Sequence, residues 1–313
     1  MKKILNRNIC LFAHYDPQGI IDDYVVFYLR SLRPLFKKII FVSTAKLLDY
    51  QSSKLDGLVD LFLLRENLGY DFSSWKMGLS KIDLDEYDEL LICNDSCYGP
   101  FFDLKPIFNE MNNRPIDFWG ITHSNQIDFH IQSYFMVFKK NILRDNRFKQ
   151  FWLNIENQKT KMHYVFEYEV GLSKQLIAWG YKCDSVFSMK ICFSDHFKIN
   201  FLRLKGIFNA IIPQIWLFIK IILVHFGAKK FMRPELAKKI SPWGPLFGAS
   251  NLNYSHSLWD TCLKRMLPFL KVELLRDDPL KTGATVNKLS LILKKRSKFD
   301  VSIISKHLER LKI

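Results

Sequence analysis

The run Leu90-Leu91-Ile92-Cys93-Asn94-Asp95-Ser96-Cys97-Tyr98-Gly99-Pro100 holds the clearest chemical site in this 313-residue chain. An apolar strand that runs into Asn-Asp-Ser places a carboxylate at the strand's end, where open α/β sheets bind their ligands. A pyrophosphate bound there wants a divalent cation, and Asp95 offers a hard oxygen suited to Mg2+ or Mn2+. A turn in which Asp95 and Ser96 cap a helix accounts for the same residues, and spacing does not separate the two readings.

Three further runs carry chemistry. In Arg65-Glu66-Asn67-Leu68-Gly69-Tyr70-Asp71-Phe72-Ser73-Ser74-Trp75-Lys76, Gly69 permits a tight turn and Asp71 and Ser73 suit a helix start. Backbone N–H groups at that start, with Arg65 and Lys76, suit a phosphate, while a plain capped crossover helix has the same composition. Asp117-Phe118-Trp119-Gly120 and Gln132-Ser133-Tyr134-Phe135 offer aromatics and an amide that stack on and hydrogen-bond sugars; such residues more often fill cores. Glu167 and Glu169 are carboxylates two apart before a helix, candidates for a general base or solvated charges favoured by the helix dipole. His196 is a lone candidate for a metal or phosphate contact.

The elements that must position these groups follow from hydropathy. Apolar runs at 8–13, 38–44, 61–64 and 89–93 read as buried strands, with further strands at 117–121 and 131–138. Helical spacing covers 20–32, and helices are expected near 71–81, 103–111, 141–153 and 165–180. Strands alternating with helices predict an open, largely parallel α/β sheet. No internal repeat or low-complexity tract interrupts it.

Apolar residues make up 48% of the chain and charged residues 25%, which excludes disorder as the main state. The formal charge of +15 is unevenly spread. Residues 1–197 are net neutral, 198–240 carry +8, 241–280 balance, and 281–313 carry +7. Residues 207–226 are apolar but interrupted by Asn209, Pro213, Lys220 and His225. They read as a helix lying in a membrane interface rather than spanning it, with a buried helix as the alternative. Asp300 is placed to cap a terminal helix with Val301, Ile304, Leu308 and Leu311 on one face. Residues 241–256 read as a loop. Nucleic acid is a disfavoured partner, because the basic segments interleave with Ile, Leu and Trp and no nucleic-acid motif is present. The six cysteines show no C-x2-C spacing, so reduced cytosolic thiols are expected. Met1–Asn8 lacks the apolar core of a secretion signal.

Taken together and in this order, the runs resemble the rhamnan-synthesis protein F family, bacterial glycosyltransferases of surface-polysaccharide assembly. The resemblance rests on the runs above, on Glu169-Val170-Gly171-Leu172-Ser173, on Ser257-Leu258-Trp259-Asp260 and on residues 268–277, Pro-Phe-Leu-Lys-Val-Glu-Leu-Leu-Arg-Asp. It implies a GT-A-like Rossmann-type sheet with helices on both faces, over 1–197. A basic membrane-associating segment (198–240) and a mainly helical C-terminal region (241–313) follow. It implies transfer of a sugar, often rhamnose, from a nucleotide diphosphate to a lipid-linked glycan. The enzyme would sit peripherally on the cytoplasmic face of the inner membrane, held by its anionic surface.

Carried over by residue, the resemblance makes Tyr15, Asp16 and Thr44 contacts of base and ribose. Arg65, Asn67, Gly69, Asp71, Lys76 and Asn94 lie beside the donor. Asp95 takes the metal-binding position of the Asp-x-Asp motif, here Asn-Asp-Ser and one carboxylate short. Glu169 is the base of an inverting displacement, with Glu167 as runner-up. Trp119, Gln132 and Tyr134 face the acceptor, and His196 is a late contact of metal and diphosphate. A non-catalytic scaffold that keeps the fold is the competing function.

Overall fold

The computed structural model describes residues 7–125, 127–158, 160–187 and 254–312. Four apolar runs form parallel strands: β1 (Asn8–His14), β2 (Lys38–Ser43), β3 (Leu61–Leu64) and β4 (Glu89–Asn94). β5 (Cys97–Tyr98) is a short strand outside this sheet. β6 (Phe118–Ser124), β7 (His130–Ile131), β8 (Phe135–Lys139) and β9 (Cys183–Phe187) complete the main sheet. The order is β3-β2-β1-β4-β8-β6-β7, with β9 also on β6. β8 runs antiparallel to β4 and β6, whereas β9 is parallel to β6. This is the expected open α/β sheet, parallel over β1–β4 and mixed beyond.

Strands covered on both faces need continuous apolar runs, and alternate residues then serve opposite layers. In β1, Cys10 and Phe12 enter one core while Ile9, Leu11 and Ala13 enter the other. The first layer holds the helix Asp23–Leu32 and the helix Lys105–Asn112. The second holds the helices Tyr70–Leu79 and Asn146–Leu153 and the segment Lys161–Ala178. Trp75 is fully buried there, and its indole N–H donates to the Cys93 carbonyl at 3.1 Å, tying the Tyr70–Leu79 helix to β4. Gly120 lets β6 and β7 approach, since a Cβ there would lie 2.2 Å from Ile131 Cγ2.

Residues 254–312 pack on the first layer through Leu258, Cys262, Leu270, Leu274 and Ile304. β10 (Leu270–Lys271) pairs antiparallel with β5. The terminal helix Ser302–Arg310 starts where expected, with Asp300 Oδ1 accepting the Ser302 N–H at 2.9 Å. It lies against the body, with Ile304 and His307 buried. Its apolar face is thus taken up by the body, while Lys306 and Lys312 stay exposed. The five described cysteines are free. No helix among the described residues is long and apolar enough to cross a membrane. The apolar run 207–226, most of the loop 241–256 and His196 lie outside the described residues.

Three spans differ from the periodicity. The predicted helix 141–153 is two, Lys140–Leu143 and Asn146–Leu153. Residues 131–138 split into β7 and β8. The helix expected at 165–180 starts at Lys161 and passes through a π-helical stretch, Val165–Val170, before Gly171–Ala178.

Candidate active site

β1 and β4 are neighbours whose chains leave in opposite directions across the sheet, so their carboxyl ends part to open a crevice. A cleft of about 690 Å³ occupies that point. The β1 end supplies His14, Tyr15 and Asp16, the β4 end Asn94, Asp95 and Ser96, and the segment after β2 Thr44. Asn67, Tyr70 and Asp71 enter from the turn after β3, Ser133 from the turn before β8, and Lys161, Tyr164 and Glu169 from the helical segment beyond. Residues 271–311 close the remaining side with Lys271, Glu273, Arg276, His307 and Leu311.

Asp95 sits at the centre of the β1–β4 opening. Its Oδ2 accepts the Tyr15 N–H at 2.9 Å and lies 3.9 Å from His14 Nε2. Its backbone carbonyl accepts the Tyr24 hydroxyl at 3.0 Å. Asp71 Oδ2 accepts the Asn94 side-chain N–H at 2.7 Å, and Asn94 Oδ1 in turn takes the Ser96 hydroxyl at 2.7 Å and its N–H at 3.1 Å. Asn94 thus serves as a bracket between Asp71 and Ser96. Burial raises the Asp95 pKa well above the carboxylate range, and the charges of Asp71 and Asp16 add to it. Burial likewise raises Asp71, against the Asn94 hydrogen bond and the charges of Lys271 and Lys161. Burial lowers His14 to about 4, although Asp16 favours its charged form.

Two partly buried carboxylates facing one cleft form a donor set that suits a hard dication. Among the described residues no group of three or more His, Cys, Asp or Glu side chains is arranged around one point. A cation held by Asp95 and Asp71 would therefore draw its other ligands from bound diphosphate and water.

The two glutamates are separated. Glu169 Oε1 accepts the Ser133 N–H at 2.8 Å, which fixes the carboxylate in the cleft. Glu167, in the same π-helical stretch, is exposed and does not line it.

Other expected contacts have structural roles. Asp16 lines the cleft, but Oδ1 accepts the Gln18 and Ile20 N–H groups and Oδ2 accepts Arg310 at 2.6 Å. Arg65 does not line the cleft; it clasps the turn before the Tyr70–Leu79 helix, donating to Ser74 Oγ and to the carbonyls of Glu66, Leu68 and Tyr70. Lys76 donates to the carbonyls of Leu153 and Ile155, both at 2.8 Å. Gly69 adopts φ +91°, the left-handed turn before the helix. Trp119 is fully buried against Phe108 and Phe135. Gln132 and Tyr134 are buried around Thr122 Oγ1, at 2.6 and 2.8 Å. None of these three reaches the cleft lining. Lys161, Lys271, Arg276, Ser133 and His307 line it too; Ser133, Lys271 and Arg276 fall in runs that carried the resemblance, but none of the five was given a role. The one available signal was Lys271 itself, a cation set inside the apolar run 267–274.

The model of the family described as Rhamnan synthesis protein F matches residues 39–232. The chain belongs to the rhamnan synthesis protein F family. The resemblance motifs from Arg65 to Ser173 fall inside that match, and the runs at 257–260 and 268–277 lie beyond it. The virulence protein VirA of Vibrio anguillarum is 30% identical to this family member over 233 residues, 72% of this chain and 66% of that protein. An uncharacterized protein of Sinorhizobium fredii is 23% identical over 193 residues, 60% of this chain and 50% of its own. The alignments thus span just under two thirds and half of these relatives. Among solved structures, the 4-diphosphocytidyl-2C-methyl-D-erythritol synthase of Anaerococcus prevotii aligns with TM-score 0.39 and 12% identity, over 59% of this chain and 90% of that one. Core-mannan synthase A of Aspergillus fumigatus, in a Mn/GDP form, aligns with TM-score 0.31 and 8% identity, over 48% and 64%.

Proposed function

We propose that this family member is a glycosyltransferase of bacterial surface-polysaccharide synthesis. It moves a sugar, rhamnose or another deoxyhexose, from a nucleoside diphosphate to a lipid-linked glycan. The observation that carries the reading is the placing of the Asp95–Asp71 pair and the anchored Glu169 in one cleft at the sheet's switch point. Tyr15 and Thr44, which line the cleft at the β1 and β2 ends, would contact base and ribose.

Asp95 and Asp71 would hold Mg2+ or Mn2+, which when bound draws charge from the diphosphate leaving group. Glu169 accepts the proton of the acceptor hydroxyl as that oxygen bonds to the anomeric carbon. The carbon–oxygen bond to the diphosphate breaks on the opposite face, and the diphosphate leaves with the electron pair, so configuration inverts. The Ser133 N–H fixes which glutamate oxygen is occupied and so aims the other; such a charge-assisted bond contributes about 1.5–3 kcal/mol. Attachment to the cytoplasmic face of the inner membrane is assigned to the basic apolar segment 198–240, at about 1 kcal/mol per Lys or Arg near an anionic surface.

Calorimetric titration of the full chain with deoxythymidine diphosphate and uridine diphosphate, with and without Mn2+, tests this. One nucleotide is expected to bind, more tightly with Mn2+, and Asp95→Ala is expected to abolish the Mn2+ gain. Absence of binding by both nucleotides in a folded sample would favour a non-catalytic scaffold.

A further inference from the structure

Lys271 is a half-buried cation in the cleft with no ion pair among the described residues. Its ammonium donates to Ser96 Oγ at 3.2 Å and lies 4.5 Å from the centre of the Tyr134 ring. Both partners are neutral, so they fix the charge in place without cancelling it. The other cations of the lining are differently placed. Arg276 is exposed and paired with Asp277 at 2.7 Å, and Lys161 is exposed. Lys271 is held by backbone on both sides: β10 pairs with β5, and the Val272 N–H donates to the Ser96 carbonyl at 2.9 Å. The ammonium therefore lies beside the Asn94–Ser96 turn, close enough for Asp71 to feel its charge.

A fixed, partly dehydrated cation without a counter-ion is costly unless an anion visits it. We infer that Lys271, supplied by the C-terminal segment, binds the diphosphate of the donor directly and takes over part of the charge neutralisation that a metal held by two motif carboxylates would supply. This rests on the donor-site reading above. It also explains the placing of Ser96 and Tyr134, whose hydroxyl and ring aim the ammonium. The competing structural role is compensation of the Asp71 charge, which Lys271 also feels.

The test compares each nucleoside diphosphate with its monophosphate, in EDTA, by calorimetry on the full chain. The probes are the deoxythymidine and uridine pairs. The wild type is expected to bind one diphosphate about tenfold or more tightly than the matching monophosphate without metal. Lys271→Met is expected to lose that preference while keeping monophosphate affinity within about twofold, and Lys271→Arg to retain it. A Lys271→Met protein that keeps the preference overturns the inference but leaves the donor site standing. The same holds if it melts lower and loses affinity for both phosphates alike, which is what compensation of Asp71 predicts. Failure of the wild type to bind any nucleotide, with or without Mn2+, removes the donor-site reading and the inference with it.

Discussion

Glu167 and Glu169 are two residues apart, yet only Glu169 enters the cleft, because the π-helical stretch and the Ser133 N–H fix where it lies. Glu169→Gln is expected to lower kcat by about 10²–10⁴ with nucleotide affinity unchanged, since a general base acts in the chemical step. Glu167→Gln should stay near wild type, and a steady-state assay of both variants checks the pair. His14 supplies a pH-dependent expectation. Burial lowers its pKa to about 4, while the unfolded chain titrates near 6.5. The folded chain then binds fewer protons than the unfolded one within that window. Its contribution is whole above about pH 6.5 and is lost as pH falls towards 4, by up to about 3 kcal/mol. Denaturant unfolding at pH 7 and pH 4 should show wild type losing that much relative to His14→Gln, whose amide does not titrate. The site was legible in part. Asp95 is expected at a strand's end and lies there, whereas Glu169, expected before a helix, lies within one. Trp119, Gln132 and Tyr134 could not be placed, because a motif fixes residue type but not which side of the sheet a side chain meets. Lys271, though inside a run that carried the resemblance, was given no role, because its neighbours in space, Ser96 and Tyr134, are far away in sequence.

The turn before the Tyr70–Leu79 helix shows how an element shapes the cleft. Gly69 has φ +91°, and a Cβ there would lie 1.9 Å from Ser73 Oγ and 2.8 Å from Asn157 Oδ1. Gly69→Ala is therefore expected to cost about 2–3 kcal/mol, strain and clash together, and to displace Asp71. Gly57 also has positive φ but open space around it, so Gly57→Ala should cost only about 1 kcal/mol. Chemical unfolding of the two variants compares them. At this scale the sequence reads well where burial on both faces leaves unbroken apolar runs, as in β1, β2 and β4. It reads poorly where polar contacts break a run. Between β7 and β8, Gln132 and Tyr134 turn inward to Thr122, and the strand expected across 131–138 is divided. Nor does a π-helical stretch leave a mark in a 3.6-residue period.

Across the whole molecule, the two ends of the described chain meet at the cleft. Arg310 bonds Asp16 and Asp22 at 2.6 and 2.5 Å and Gln18 Oε1 at 2.6 Å. These groups are mostly buried, so Arg310→Met takes the guanidinium from two carboxylates and is expected to cost about 2–4 kcal/mol. Nucleotide affinity should fall with it, as the β1 end loosens; a thermal melt alongside calorimetry separates a global loss from a local one. The general plan, a two-layered α/β sheet with a helical C-terminal region, was open to a reading of composition and period. The return of the C-terminal helix to the first strand was not, because no local pattern encodes a partner 294 residues away. That same separation sets a time order. Closing a loop of this length costs about 5 kcal/mol of chain entropy before the contact yields anything in return. Distant pairings of this kind are slow to form. During refolding, the sheet should assemble first and the competence to bind nucleotide should come last, in a kinetic phase later than the one that restores strand content.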